Sequence, residues 1–338
     1  MVAPAAAVRA QCRAVSCSSR QLQSRPVRRG PSGAVVAAAR TAGPAAAPLS
    51  RSNLGQKHGL RLRGGQVPLP APSASAAAAA APLPSDDSPS LDPVGNGFLA
   101  SVRAIFFYAF TLITAIPLFV LMVAIFPFVW LFDKYKRTAE HMMNNVWAKL
   151  STTPFYRVEI IGKENLPSND VPAVYVANHS SYLDIYTLFH LDRNFKFISK
   201  LSNFLIPLIG WSMFMTGHIP LVRNERRSQM EALKTCRGLV EKGCSLLFFP
   251  EGTRSSDGKM HSFKKGAFSV AAKMKAPVVP ITVVGAYQLM KNGDEGRLYP
   301  GTIKVVVHPM IDGSVDADTM MSQSYAAIAS ALPAGAVA

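Results

Sequence analysis

The chain has 338 residues, 36 basic against 20 acidic, and a formal charge of +16. The excess is local: residues 1–85 hold ten Arg, one Lys and no Asp or Glu, so +11 of it sits there and 25 basic against 20 acidic residues leave +5 for the rest. A charge so confined is not a nucleic-acid footprint, and four cysteines without a CxxC spacing exclude a disulfide framework or a thiolate metal site.

Residues 1–85 are rich in Ala, Arg, Ser, Pro and Gly and lack an apolar stretch long enough for a secretory signal. Arg-rich, Ser-containing and acid-free is the composition of an organelle transit peptide, the alternative being a disordered tail that stays attached. That composition does not separate plastid from mitochondrion. Residues 86–97 read as a polar linker, with Asp86, Asp87, Asp92, Pro93 and Gly95.

The chemistry then changes abruptly. Ala104–Phe132 contains 29 residues without a charge. As a helix it would be about 43 Å long, against a bilayer core of about 30 Å. Residues 98–137 are therefore expected to be a membrane-embedded helical segment. It is either one tilted span bent at Pro117 and Pro127 or a helical hairpin that dips into one leaflet. Lys134, Lys136 and Arg137 follow at once, which for a single span puts the C-terminal domain on the inner side.

Residues 138–332 alternate short apolar runs with helical patterns after an amphipathic stretch at about Thr138–Leu150. Strands are expected at Ala173–Ala177, Phe195–Ile198, Ile219–Val222, Ser245–Phe249, Val278–Val284 and Ile303–Val307, and helices at Glu225–Lys242 and Gly266–Lys275. The fold class is α/β, with a mostly parallel or mixed central sheet flanked by helices. Leu201–Gly217 is a second uncharged stretch, either a buried helix or one that touches the membrane or lines an acyl channel.

Four segments carry chemistry. Asn178-His179-Ser180-Ser181-Tyr182-Leu183-Asp184 follows an apolar strand, so His179 lies at the C-terminal edge where α/β sites gather. Asp184 can fix the imidazole tautomer while the other ring nitrogen serves as a base; the alternative is an ordinary structural hydrogen bond. Phe249-Pro250-Glu251-Gly252-Thr253-Arg254-Ser255 also ends a strand. Arg254 there could hold a phosphate, or the segment could be a capped turn with an ion pair. Gly217-His218-Ile219-Pro220-Leu221-Val222-Arg223 is a strand that leaves on an arginine suited to phosphate, or merely to solvent. Pro280 within Val278–Thr282 suggests a sheet edge or a bulge. Lys264 and Lys265 add positive charge for an anionic group, or form a surface pair.

In this order the blocks NHSSYLD, GHIPLVR, FPEGTRS and VVPIT resemble those of the glycerolipid acyltransferases, the bacterial PlsC-like enzymes. The longer wording, KFISKLSNFLIPLIGWSMF and FKKGAFSVAAK included, is similar to the plastid-type 1-acyl-glycerol-3-phosphate acyltransferases. The resemblance covers about residues 98–312. It implies that His179 is a general base oriented by Asp184, and that Gly217, Arg223, Glu251, Gly252, Thr253 and Arg254 form the glycerol-phosphate site with Pro280 on the donor side. The implied reaction transfers an acyl chain from acyl carrier protein or coenzyme A to the sn-2 hydroxyl of lysophosphatidic acid, without metal or cofactor, at a chloroplast membrane with the domain facing the stroma. Acylation of glycerol-3-phosphate or of another lysophospholipid is the nearest rival, and a membrane-bound esterase or phosphatase a remote one. Val222 departs from the acidic residue that many relatives carry before that arginine.

Overall fold

The computed structural model describes residues 97–338; the expected transit segment and all but the last residue of the linker lie outside the described residues. Seven strands make one sheet: β1 (Arg157–Ile161), β2 (Val174–Ala177), β3 (Phe195–Lys200), β4 (Ile219–Leu221), β5 (Ser245–Phe248), β6 (Val278–Val284) and β7 (Thr302–Val307). Their order is β1-β7-β6-β2-β5-β3-β4, parallel throughout except between β6 and β7, so the sheet is mixed. The alternating residues of β2 divide the core. Ala173, Tyr175 and Ala177 join a cluster with Tyr186, Phe195 and Phe107, whereas Val174 and Val176 face a second with Cys236, Phe268 and Met320. β2 is buried on both faces, as a central parallel strand must be.

Pro280 sits in an interior strand, between β2 and β7, and the bulge of the two readings accounts for it. Ile281 pairs with Val307 and Val278 with Ile311, so two residues of β6 face three of the return chain. The Pro280 carbonyl still accepts His308 N–H at 3.0 Å, and the missing proline N–H falls where the ladder is interrupted.

The apolar segment is one helix, α1 (Gly97–Phe132), continuous through Pro117 and Pro127 and about 54 Å long. It does not fold back on itself; the hairpin is completed by α2 (Thr138–Thr152). Trp147 Nε1–H bonds Thr111 O at 3.1 Å, and Thr114 Oγ1 lies 3.0 Å from Ser151 Oγ. α1 touches the sheet domain at points from Ala100 to Phe119. Leu298 N–H reaches Ala100 O near its start, Phe107 packs on Phe155 and Tyr186, and Phe119 meets Trp211 beyond its middle. The expected Leu201–Gly217 stretch supplies that last contact. It breaks at Pro207 into a 3₁₀ turn (Leu201–Leu205) and helix α3 (Ile209–Thr216), leaving Leu205 and Ile206 exposed.

Arg137 turns inward rather than towards lipid headgroups. Its Nη1 donates to Phe214 O and Met215 O at 2.8 and 2.6 Å, capping the C-terminal carbonyls of α3. Only Lys134 and Lys136 of the three basic residues remain at the surface, which weakens the charge argument for a simple span.

α2 is inside out. Glu140, His141, Asn144, Asn145, Ser151 and Thr152 are buried, whereas Met142, Val146 and Leu150, one turn apart, are exposed. A surface helix in water shows the reverse. Asn144 bonds Thr216 Oγ1 at 2.9 Å and Ser212 Oγ at 3.0 Å. Neither Glu140 carboxylate oxygen nor either His141 ring nitrogen has a partner among the described residues.

Burial pushes the Glu140 carboxyl up from 4.5 to about 7, against the pull of Arg137. An acid raised in this way stabilises the fold fully below its unfolded value, and that contribution is lost as pH climbs through the folded value. Glu140→Gln should therefore melt with the parent at about pH 5 and be more stable by about 1–3 kcal/mol at about pH 8. Thermal melts in detergent across that range check this; a constant offset would mean that folding does not raise the Glu140 carboxyl.

Candidate active site

The site begins where β2 stops. Asn178 donates from Nδ2 to Val283 O at 2.9 Å and accepts Val283 N–H on Oδ1 at 2.8 Å. Its side chain thus extends the β2–β6 ladder and fixes where the chain leaves the sheet. His179 follows, then helix α4 (Leu183–Phe189), whose first turn carries Asp184.

His179 Nδ1 lies 2.8 Å from Asp184 Oδ2, and the same oxygen accepts Ser180 N–H and Ser181 N–H at 2.8 and 2.9 Å. Asp184 is fully buried. An acceptor in that position makes Nδ1 the protonated nitrogen and leaves Nε2 with its lone pair. No described residue bonds Nε2. The ring lies flat against Phe249, with centroids 3.9 Å apart and planes at 17°, so its orientation is fixed from the side as well as from behind. The arrangement can take a proton from a group presented to Nε2 and stabilise the resulting imidazolium.

The second loop grips the first. Glu251 Oε1 accepts His179 N–H at 2.8 Å and Oε2 accepts His261 N–H at 3.0 Å, while Ser255 N–H bonds His179 O at 2.8 Å. Both backbone groups of the histidine are therefore held by the Phe249–Ser255 segment. Burial raises the Glu251 carboxyl above its ordinary value, opposed by these two N–H groups. With both oxygens on backbone N–H groups, Glu251 ties the two loops together and lines the cavity beside His179. The N–H groups around His179 are all taken: His179 gives its own to Glu251, and Ser180 and Ser181 give theirs to Asp184.

Gly252 has φ +81°, and a Cβ there would come within 2.5 Å of Lys264 Nζ. Lys264 therefore stands over this loop, whereas Lys265 pairs with Asp318 at 2.6 Å. Thr253 is exposed. Arg254 is half-buried, its Nη1 2.7 Å from Glu295 Oε1.

The register separates the remaining candidates. Tyr175 is level with Leu247, Leu247 with Phe197, and Lys200 with Leu221. Arg223 follows the end of β4, and His179 and Ser180 follow the end of β2, three strands across the sheet. Gly217 lies beside Lys196, which is level with Leu246 and Val174 in the sheet. Its φ of +81° ends α3, and Lys196 Nζ, bonded to Thr216 O at 2.7 Å, would lie 3.0 Å from a Cβ there. Gly217 shapes the turn that ends α3 and leads into β4. Pro280 pairs with Val176, three residues before His179, within the sheet.

Phe249 and Glu295 were missed by the sequence reasoning. Phe249 looks like the last residue of an apolar strand, and nothing in its spacing shows that it turns onto an imidazole. Glu295 belongs to a polar loop without periodicity.

A model of the acyltransferase family matches residues 157–284, from β1 to the end of β6. A 1-acyl-sn-glycerol-3-phosphate acyltransferase of Chlamydomonas reinhardtii is 55% identical over 251 residues, 74% of this chain and 75% of its own. The chain belongs to the 1-acyl-sn-glycerol-3-phosphate acyltransferase family. A chloroplastic member from Arabidopsis thaliana is 51% identical over 231 residues, 68% of this chain and 65% of its own. The crystal structure of PlsC, a 1-acyl-sn-glycerophosphate acyltransferase from Thermotoga maritima, superposes on this acyltransferase with a TM-score of 0.59 at 25% identity, covering 68% of this chain and 93% of the other.

Proposed function

We propose that this acyltransferase moves an acyl chain from a thioester of acyl carrier protein or coenzyme A to the sn-2 hydroxyl of 1-acyl-glycerol-3-phosphate, giving phosphatidic acid. The observation that carries the reading is the buried Asp184 carboxylate 2.8 Å from Nδ1 of a histidine whose Nε2 faces outwards. His179 Nε2 takes the hydroxyl proton as the oxygen attacks the thioester carbonyl, and Asp184 stabilises the imidazolium. The tetrahedral intermediate collapses, the thiolate leaves, and His179 returns the proton to it. His179 and Asp184 are the catalytic residues. Gly252, Thr253 and Arg254 receive the phosphate together with Lys264, and Arg223 marks the far end of the same edge. The reaction needs neither a metal nor an organic cofactor.

The acceptor is a membrane lipid, and the helical hairpin accounts for access to it. α1 is tied to the acyltransferase domain from Ala100 to Phe119, which lays that part of the helix along the domain. The exposed apolar faces of α1 and α2 support embedding in one leaflet, the dipping form of the two membrane readings. Chloroplastic relatives support a chloroplast membrane, and we place the enzyme on the inner envelope with its catalytic domain in the stroma, residues 1–85 serving as transit peptide.

The test is a radiolabelled acyl-thioester assay on the protein from about residue 86 onward in detergent, offering lysophosphatidic acid and glycerol-3-phosphate separately. Label in phosphatidic acid is expected. Label in lysophosphatidic acid would move the protein to the sister reaction, and free fatty acid alone would make it a hydrolase.

A further inference from the structure

We infer that the outer face of helix α5 (Arg226–Glu241) is a docking surface for an acidic acyl carrier protein, which delivers the acyl thioester from the side away from the membrane. The inference deepens the reading above, in which the donor is a thioester of acyl carrier protein or coenzyme A, and rests on it. Residues Arg223 to Arg237 carry five basic side chains against Glu225 and Glu231, a net +3 over fifteen residues. Arg226, Met230, Lys234 and Arg237 follow one another along one side of the helix. The first three are exposed, Met230 by 64%. Arg227 pairs with Glu231 at 3.3 Å, whereas Arg226, Lys234 and Arg237 have no carboxylate partner among the described residues. The fold does not use these charges: α5 is held from its other side, through Ala232, Cys236 and Val240.

Two placements put this face where a soluble donor must arrive. β4 runs parallel to β3, β3 to β5 and β5 to β2, so β4 and β2 end on the same edge of the sheet. α5 starts just beyond β4, and its first turns stand at the edge that carries His179. Leu233 packs on Gly266, the first residue of α6 (Gly266–Met274), and Lys264 two residues earlier donates its N–H to Pro250 O at 2.9 Å. The helix therefore adjoins the loop that grips the histidine. The second placement concerns the sheet faces. Ala232, Cys236 and Val240 join the core with Phe268 and Met320, whereas α1 and α2 pack through Phe107 and Ala148 on the opposite face. With the hairpin in a leaflet, α5 is turned to water.

Charge complementarity names the occupant. An acyl carrier protein is small and strongly acidic and holds its thioester at the end of a flexible pantetheine arm. Its body can rest on α5 while the arm carries the carbonyl to His179. A positive surface draws such a partner in and sets its orientation, and salt screens the attraction over about 8–10 Å. Met230 among the basic residues gives the contact an apolar centre, and Met and Arg are both enriched in protein interfaces. Coenzyme A presents the same thioester without a protein body to meet the helix. The face therefore acts on one donor and not on the other.

The experiment measures kcat and KM of the full chain with the same acyl chain on acyl carrier protein and on coenzyme A, lysophosphatidic acid being the acceptor for both. Arg226→Glu/Lys234→Glu should raise KM for the carrier thioester about tenfold, the scale of two exposed ion pairs lost and reversed, and leave KM for the coenzyme A thioester within about twofold of the parent. Retained turnover with coenzyme A shows that the variant folds. Arg226→Gln/Lys234→Gln should shift the carrier KM by about threefold, and it decides the matter if the reversed variant does not fold. In the parent the carrier KM should also climb as salt rises from about 0.05 to 0.3 M, and less steeply in the variants. A KM that moves equally for both donors, or for neither, overturns the docking surface, as does transfer from coenzyme A with none from the carrier. A reversed variant that no longer sediments with phosphatidylglycerol vesicles, yet keeps its carrier KM, overturns it in favour of a membrane contact. No phosphatidic acid from either donor in the parent overturns the acyl-transfer reading itself.

Discussion

His179→Ala should lose turnover by about 10²–10⁴-fold while still binding lysophosphatidic acid, because the side chain contributes proton transfer and little else. The fold should survive. Asp184 keeps its bonds from Ser180 and Ser181 N–H, and the backbone of residue 179 keeps its bonds to Glu251 and Ser255. Single-turnover acylation together with a thermal melt checks both halves. Asp184→Asn should act in the same direction: the amide oxygen stays with Ser180 and Ser181 N–H, and the imidazolium loses the negative charge that stabilises it. A His179→Ala enzyme within tenfold of the parent would mean that the hydroxyl is deprotonated elsewhere.

Glu251→Ala should cost about 10²-fold in kcat with KM for lysophosphatidic acid close to that of the parent. The carboxylate holds His179 N–H and His261 N–H at 2.8 and 3.0 Å. Without it two half-buried N–H groups lose their acceptor, at about 1–3 kcal/mol each, and the histidine loop is freed from the loop beside it. A displacement of about 1 Å is enough for a loss of that size. A ligand of the substrate phosphate behaves in the opposite way, with KM rising and kcat kept, so the split between the two constants decides between the roles. Glu251→Gln tests the same point more gently, because one of its two positions would then present an NH₂ to a backbone N–H.

Much of the fold could be read along the chain. Six of the seven strands are short, largely apolar runs that show at once, and Gly266–Lys275 is a helix for the reasons its sequence suggests. β1 was missed because it sits at the sheet edge: Arg157-Val-Glu-Ile-Ile alternates exposed with half-buried residues and carries two charges. The C-terminal helix Ala317–Ser330 was also left unassigned, although Asp316 caps it through the N–H groups of Asp318 and Thr319. At the site, His179 and Asp184 were legible because their partnership is local, five residues apart across one turn. The true work of Glu251 and Gly217 was not, since it depends on backbone groups that the fold brings from elsewhere. The same holds for Arg254, whose partner is 41 residues away.

The inverted helix α2 changes what counts as a conservative substitution. On the proposed membrane face, at Met142, Val146 and Leu150, exposed positions would meet lipid, so lysine or glutamate there would be as foreign as in a core, and leucine for valine would pass unnoticed. At Asn144, Ser151 and Thr152 the positions are buried yet polar, and an alanine that would suit most interiors removes a bond. Exposure to water and tolerance of polar residues, which go together over most of a protein surface, come apart along these fifteen residues. A map of permitted substitutions through this segment would trace the boundary between lipid and protein residue by residue.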